Sequence, residues 1–176
     1  MAEAAHPPTY RDVHERTAII HPTAVVSDHA IVGAPGEWRA EPSRYPAVVD
    51  AGVVVREFAT VHAGCRRQTH VGEGTLVMTK AHVGHDARIG TNCNIAAGAV
   101  VGGHVTIGND CKLGINAVIR EFVTIGDRVI IGAGAVVTKD IPTGETWAGV
   151  PAKRIHAWDK AHRDAMSAYL EGDVSV

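Results

Sequence analysis

Aliphatic residues recur every six positions along most of this chain. Stepping from Val71 gives Val77, Val83, Ile89, Ile95, Val101, Ile107, Leu113, Ile119, Ile125, Ile131 and Val137, twelve positions without a break. Four residues beyond each lies a side chain that is neither large nor charged: Thr75, Ala81, Ala87, Cys93, Ala99, Val105, Cys111, Ala117, Val123, Val129, Ala135 and Ile141. Three residues beyond, turn formers are frequent: Gly74, Asp86, Asn92, Gly98, Asp110, Asn116, Gly134 and Asp140. These types tolerate a left-handed backbone at a corner. A period of six fits neither a helix nor simple strand alternation. It fits a short strand, a corner and another short strand. Three such sides close a triangle of eighteen residues. Stacked triangles predict a parallel β-helix with the ~4.8 Å spacing of paired strands.

The same phase runs upstream through Val49, Val55 and Val61, and an earlier coil carries Ile20, Val26 and Val32. The step from Val61 to Val71 is ten, which predicts a four-residue bulge around Arg66 to His70. Between Val32 and Val49, the turn-rich segment Gly33–Pro46 predicts a long loop leaving the prism, and such loops are often functional. The pattern ends at Pro142 and Gly144. Ala157–Leu170 then reads as a short amphipathic C-terminal helix, closed by Gly172, that caps the open strand edges. The expected organisation is an N-terminal arm (1–17), a β-helix domain (18–155, with the loop at 33–46), and a helix and tail (156–176).

Composition agrees. The chain has 24 Val and 13 Ile against 8 aromatic residues, with 19 Gly, which favours β structure over a helical bundle. A net charge of −2 argues against a nucleic-acid binder and against a polybasic membrane anchor. No apolar run is long enough to span a bilayer, and the first residues lack the apolar core of a signal peptide. Three cysteines and no export signal point to a reducing cytoplasm.

The polar residues fall into a column. Third sides of the prism are expected to open at Val61, Val83, Val101 and Ile119, so His62, His82, His85, His104 and Arg120 lie along one edge on successive coils. Asp86 and Gly103 sit beside them. Each has a simpler structural role to set against this. His29, His70, His156 and His162 read as solvated side chains, and Asp86 as a corner residue. Cys65, Cys93 and Cys111 read as core packing, and Arg120 as a surface ion-pair partner of Glu121 or Asp86.

The stretches EPSRYPAVVDAGVVVREFATVHAG (Glu41–Gly64), AHVGHDARIG (Ala81–Gly90) and GGHVTIG (Gly102–Gly108) resemble the acyl-ACP–UDP-N-acetylglucosamine O-acyltransferases over roughly residues 18–141. The strict hexad itself resembles the left-handed β-helix of hexapeptide-repeat proteins, and the hand is taken from that resemblance. It implies an all-β, left-handed parallel β-helix with one protruding loop. It also implies His85 as general base and the Gly103 N–H as oxyanion donor. His62, His82, His104, Arg120 and Asp86 would contact substrate, with Glu37 as the nearest carboxylate in the long loop. WAGVPAKRI (Trp147–Ile155) is instead similar to the closing motif of acetyl-CoA-dependent hexapeptide transferases. That makes Ala148, Gly149, Lys153 and Arg154 candidates for the donor site.

The resemblance therefore implies a cytoplasmic acyltransferase. It would move an acyl group, expected to be acetyl, from coenzyme A (or acyl-ACP) to a hydroxyl or amine of a sugar or nucleotide sugar. It also implies a homotrimer with clefts between subunits and no metal. The chemistry fits independently: imidazole can take a proton near neutral pH, and a backbone N–H beside glycine can approach an oxyanion closely. Two other classes compete. A metal hydratase of the γ-carbonic-anhydrase type needs convergent histidines, but the close pair here, His82 and His85, is three apart where that class uses five. A non-catalytic assembly subunit would not need the HxxHD and VHAG elements.

Overall fold

The computed structural model describes residues 18–36 and 42–155. The N-terminal arm, Glu37 and the expected C-terminal helix lie outside them. The described residues form a left-handed parallel β-helix without a helix. The first face holds six strands: Ala18–Ile20, Ala47–Val49, Thr69–Val71, Arg88–Ile89, Thr106–Ile107 and Thr124–Ile125. The third face also holds six: Ile31–Ala34, Thr60–His62, His82–Val83, Val100–Val101, Val118–Ile119 and Val136–Val137. The second face runs from Val25–Val26 to Thr146–Ala148 and ends in an antiparallel partner, Lys153–Arg154.

From Val71 to Val137, each hexad aliphatic closes a two- or three-residue strand and does not open one. In His82–Val83, Val83 turns into the prism while His82 turns out. The inward column from Val71 to Val137 is buried, as are the small residues that face it, Cys93 and Cys111 included. Cys65 is buried too, and none of the three cysteines forms a disulfide. Each aliphatic so buried contributes roughly 1.5–3 kcal/mol.

The corners explain why the chain winds this way. From Val71 to Ile131, the third residue after each hexad aliphatic takes a positive φ whatever its type. Gly74 and Asn92 do so, and so do Lys80, His104, Phe122 and Arg128. In that conformation its N–H reaches the carbonyl at the same corner of the preceding coil, as in His104 to His85 (2.9 Å) and Phe122 to Gly103 (3.1 Å). Coil-to-coil hydrogen bonding thus outweighs the roughly 1–2 kcal/mol that a left-handed backbone costs an ordinary residue. Asp140 departs from the expected pattern. It has no positive φ, and its carboxylate accepts the Thr124 N–H at 2.7 Å instead.

The expected loop starts later than its sequence boundary, since Gly33 and Ala34 belong to the strand Ile31–Ala34. At its far end, Tyr45 bridges antiparallel to Gly64. Among the described residues no helix is long and apolar enough to cross a membrane.

Candidate active site

The third face and the corner that follows it gather the histidine column. His62, His82, His85, Gly103 and His104 line one cavity of about 440 Å³. Gly84, Val100, Gly102, Glu121 and Phe122 complete the wall. Arg120 is exposed and is not part of the lining. Its neighbours Glu121 and Phe122 take the place expected for it. Steps of eighteen would have found both: Gly103 and Glu121 follow from His85, and His104 and Phe122 follow from Asp86.

One short contact in the site is between neighbours in sequence. His85 Nδ1 and Asp86 Oδ2 are 2.7 Å apart. Asp86 is fully buried, so it stands behind His85 and away from the cavity surface. The bulge after His62 folds over its carboxylate. The Cys65 N–H donates to Oδ2 (3.1 Å), and those of Arg66 (2.7 Å) and Arg67 (2.6 Å) donate to Oδ1. Gly64 permits the turn, because a Cβ there would overlap the Arg67 carbonyl. Arg67 then fastens the bulge to later coils, donating from Nε to the Asp86 carbonyl (2.7 Å) and from Nη2 to the His104 carbonyl (3.2 Å). The displaced chain also leaves Thr69 to accept the Asp86 N–H at 2.8 Å. Burial works against the Asp86 charge, but the bonds from His85 and from the Arg67, Arg66 and Cys65 amides outweigh it. The carboxyl is therefore held below its usual range.

With Nδ1 turned to Asp86, the Nε2 side of His85 lies over Gly103. A Cβ at Gly103 would sit 2.7 Å from Nε2. Gly103 has no positive φ, so space is what requires glycine here. Its N–H has no acceptor among the described residues. At another corner the equivalent N–H groups are covered by a ladder of side chains. Thr91 donates to Asn109 (2.9 Å), Asn109 to Asp127 (2.7 Å) and Asp127 to Thr143 (3.1 Å). At the His85 corner Gly103 has no side chain to continue such a ladder.

The four histidines of the cavity pack in two pairs. His62 and His82 meet edge to face at 4.7 Å, and His82 Nδ1 shares a 2.7 Å hydrogen bond with Thr60 Oγ1. His104 lies edge-on to His85 at 5.1 Å and stacks flat on Phe122 at 4.6 Å. Burial lowers the His104 pKa below the usual histidine value. The Asp86 charge opposes this and is outweighed. The loop returns to the site as well: a Cβ at Gly36 would meet both Cys65 Sγ and His85 Cβ at 2.9 Å.

Cys65, His85 and Asp86 bring three possible metal-ligating atoms within 4.8 Å of one another. The Asp86 oxygens and His85 Nδ1 are already joined, and three amides converge on the same carboxylate, so a cation would have to displace these bonds. Ala148, Gly149, Lys153 and Arg154 lie in the terminal hairpin of the second face, and none of them lines the cavity. Lys153 is exposed, and Arg154 pairs with Glu145 at 3.1 Å. The same carboxylate accepts the Trp147 indole N–H at 2.8 Å.

Comparison with known proteins agrees with this picture. The bacterial transferase hexapeptide (six repeats) family matches residues 68–103 and 104–139. A UDP-3-O-acylglucosamine N-acyltransferase of Caulobacter vibrioides is 42% identical over 149 residues, covering 80% of this chain and 44% of that protein. An acyl-[acyl-carrier-protein]–UDP-N-acetylglucosamine O-acyltransferase of Pseudomonas putida is 40% identical over 60 residues, 32% of this chain and 22% of that protein. The chain thus spans less than half the length of the curated relatives it matches. The structure of a UDP-N-acetylglucosamine acyltransferase from Campylobacter jejuni shares the fold, with a TM-score of 0.69 at 21% identity, over 87% of this chain and 83% of that one. Residues 68–139 thus carry bacterial transferase hexapeptide repeats, and the chain is similar to acyltransferases over most of its length.

Proposed function

We propose that this protein transfers an acyl group from a thioester to a hydroxyl or amine of a nucleotide sugar, with His85 as general base. The observation that carries this reading is the His85–Asp86 pair, whose Nε2 side lies over Gly103 within a cavity. Asp86 keeps the proton on Nδ1, so Nε2 is the basic nitrogen. Nε2 takes the proton of the acceptor as its oxygen or nitrogen attacks the thioester carbonyl. The new C–O or C–N bond forms and the C–S bond breaks. The Gly103 N–H donates to the oxyanion in between, and the imidazolium returns its proton to the leaving sulfur. General-base help of this kind is worth about 10²–10⁴ in rate, and one oxyanion donor about 10²–10³. Asp86 acts as a positioning residue in this scheme and does not contact substrate. His62, His82, His104 and Glu121 are the polar walls available to the acceptor. The activities after which the relatives are named support a UDP-sugar acceptor. The closing motif Trp147–Ile155 supports acetyl-CoA as donor, with acyl-ACP the alternative, and the family resemblance supports a homotrimer.

The test is thiol release from acetyl-CoA with a panel of UDP-sugars and UDP-amino sugars, run in parallel with acyl-ACP. His85→Ala should lower kcat by at least about 10² while leaving assembly and thermal unfolding nearly unchanged. A variant keeping more than a tenth of wild-type activity would sink the general-base assignment.

A further inference from the structure

The bulge that holds Asp86 also brings a thiol to it. Cys65 donates its N–H to Asp86 Oδ2, and one ligating atom from each of Cys65, His85 and Asp86 lies within 4.8 Å of the other two. Gly36 marks where the thiol points. A Cβ there would meet Cys65 Sγ and His85 Cβ at the same 2.9 Å, which puts the sulfur beside the His85 side chain. Cys65 and Asp86 are buried, while His85 borders the cavity and gives a way in from it.

One thiol, one imidazole and one carboxylate are the donor types that zinc takes, and a thiolate selects zinc over magnesium or calcium. Zinc holds such ligands at about 2.0–2.3 Å, which sets them roughly 3.3–3.6 Å apart in a tetrahedron. The 2.7 Å contact between His85 Nδ1 and Asp86 Oδ2 has to open by less than about 1 Å to admit the ion. The rest of the cradle stays as it is. The Arg66 and Arg67 amides hold Oδ1, and Thr69 accepts the Asp86 N–H. Donors of this kind orient a ligating carboxylate for its metal.

We propose that Cys65, His85 and Asp86 form an inhibitory site for zinc, which switches His85 to the tautomer that cannot act as a base. In the metal-free protein Nδ1 carries the proton. Zinc bonds Nδ1, that proton passes to Nε2, and the Cys65 thiol releases its proton to solvent. Bonds from zinc to sulfur, nitrogen and oxygen replace three of the ion's waters, and a water keeps the fourth position. Nε2–H then faces Gly103 and has no lone pair for the acceptor's proton. Zinc here takes no part in the reaction. The inhibition rests on the acyl-transfer reading, whereas the binding does not.

Cobalt(II) titration of the intact protein tests the binding, because a thiolate ligand gives a sulfur-to-cobalt charge-transfer band in the near ultraviolet. The band should appear in wild type and vanish in Cys65→Ser. Cys65→Ala, which keeps the position apolar, is the second variant should serine disturb the fold. Acylated product formed at rising zinc concentration tests the inhibition. Chromatography follows it, since free thiols bind zinc, and each variant is read against its own zinc-free rate. The zinc concentration that halves the rate should rise about tenfold or more in the Cys65 variants, and magnesium should not inhibit wild type. No band, or a band unchanged in both variants, overturns the proposal. Equal zinc sensitivity in wild type and variants would place the metal on the cavity histidines and overturn it too. A Cys65-dependent band without inhibition overturns the tautomer switch. A Cys65-dependent band in a protein that acylates no acceptor when metal-free would instead overturn the acyl-transfer reading and leave the metal site standing.

Discussion

His85 and Asp86 are adjacent in sequence and sit in opposite surroundings: one borders the cavity and the other is sealed beneath it. A buried carboxylate keeps its charge only where donors converge on it, and here three amides and an imidazole do so. This has a consequence for acid stability. The folded-state pKa of Asp86 lies below its unfolded value, so its contribution is present above about pH 4 and is lost as pH falls through the folded value. His104 shows the same sign by another route. Burial lowers its folded pKa, so the unfolded chain takes up a proton first once pH drops below about 6.5. Stability should therefore decline in two stages on acidification. Asp86→Asn should remove the lower stage, because an amide does not titrate. It should also destabilise the protein by roughly 1–3 kcal/mol at neutral pH, since its NH₂ group faces donors, and kcat should fall with it. Urea unfolding from pH 8 to pH 3 on both proteins measures this. An unchanged acid limb in Asp86→Asn would show that another group carries it.

Corners and bulges decide the geometry one level up. Gly103 and Gly134 both occupy corners, for different reasons. Gly134 has a φ of +65° with nothing near its Cβ position, whereas Gly103 has no positive φ and has the His85 ring against it. Gly134→Ala should cost roughly 1–2 kcal/mol of stability and leave activity intact. Gly103→Ala should do the reverse: the methyl pushes His85 aside, so kcat falls by about tenfold or more with little change in unfolding. Thermal unfolding and thiol release on the two variants separate these outcomes, and equal behaviour would refute the distinction.

At this level the sequence is informative in some places and silent in others. The hexad period fixes which residues face inward, because each must bury an aliphatic in the same slot. The step of ten after Val61 reveals the bulge. Its purpose stays hidden, because the three amides meet Asp86 only after a full coil of winding. Nor do Lys80, Phe122 and Arg128 announce left-handed corners. Their conformation comes from the bond to the coil below and not from their own preferences. Arg120 was the natural choice by charge, while position on the corner favours Glu121 and Phe122.

For the whole molecule, the question is what closes the cavity. A prism edge is convex, and a site that excludes water is concave. The third face offers an apolar strip leading to the cavity: the outward residues Val100, Val118 and Val136 follow one another on paired strands. Val118 is 37% exposed, and Phe122, at the cavity wall, is 62% exposed. A second copy of the chain packed there would bury this surface and supply the missing wall, in line with the homotrimer proposed above. Gly36 places the base of the long loop against its own chain's His85. Val118 is outside the cavity lining, which makes Val118→Glu a clean probe of assembly. A buried carboxylate in the contact should yield a folded monomer, as judged by sedimentation and circular dichroism, with thiol release reduced by about 10² or more. Full activity in such a monomer would remove the shared cleft. A variant that stays trimeric would show that the third face is not where the subunits meet.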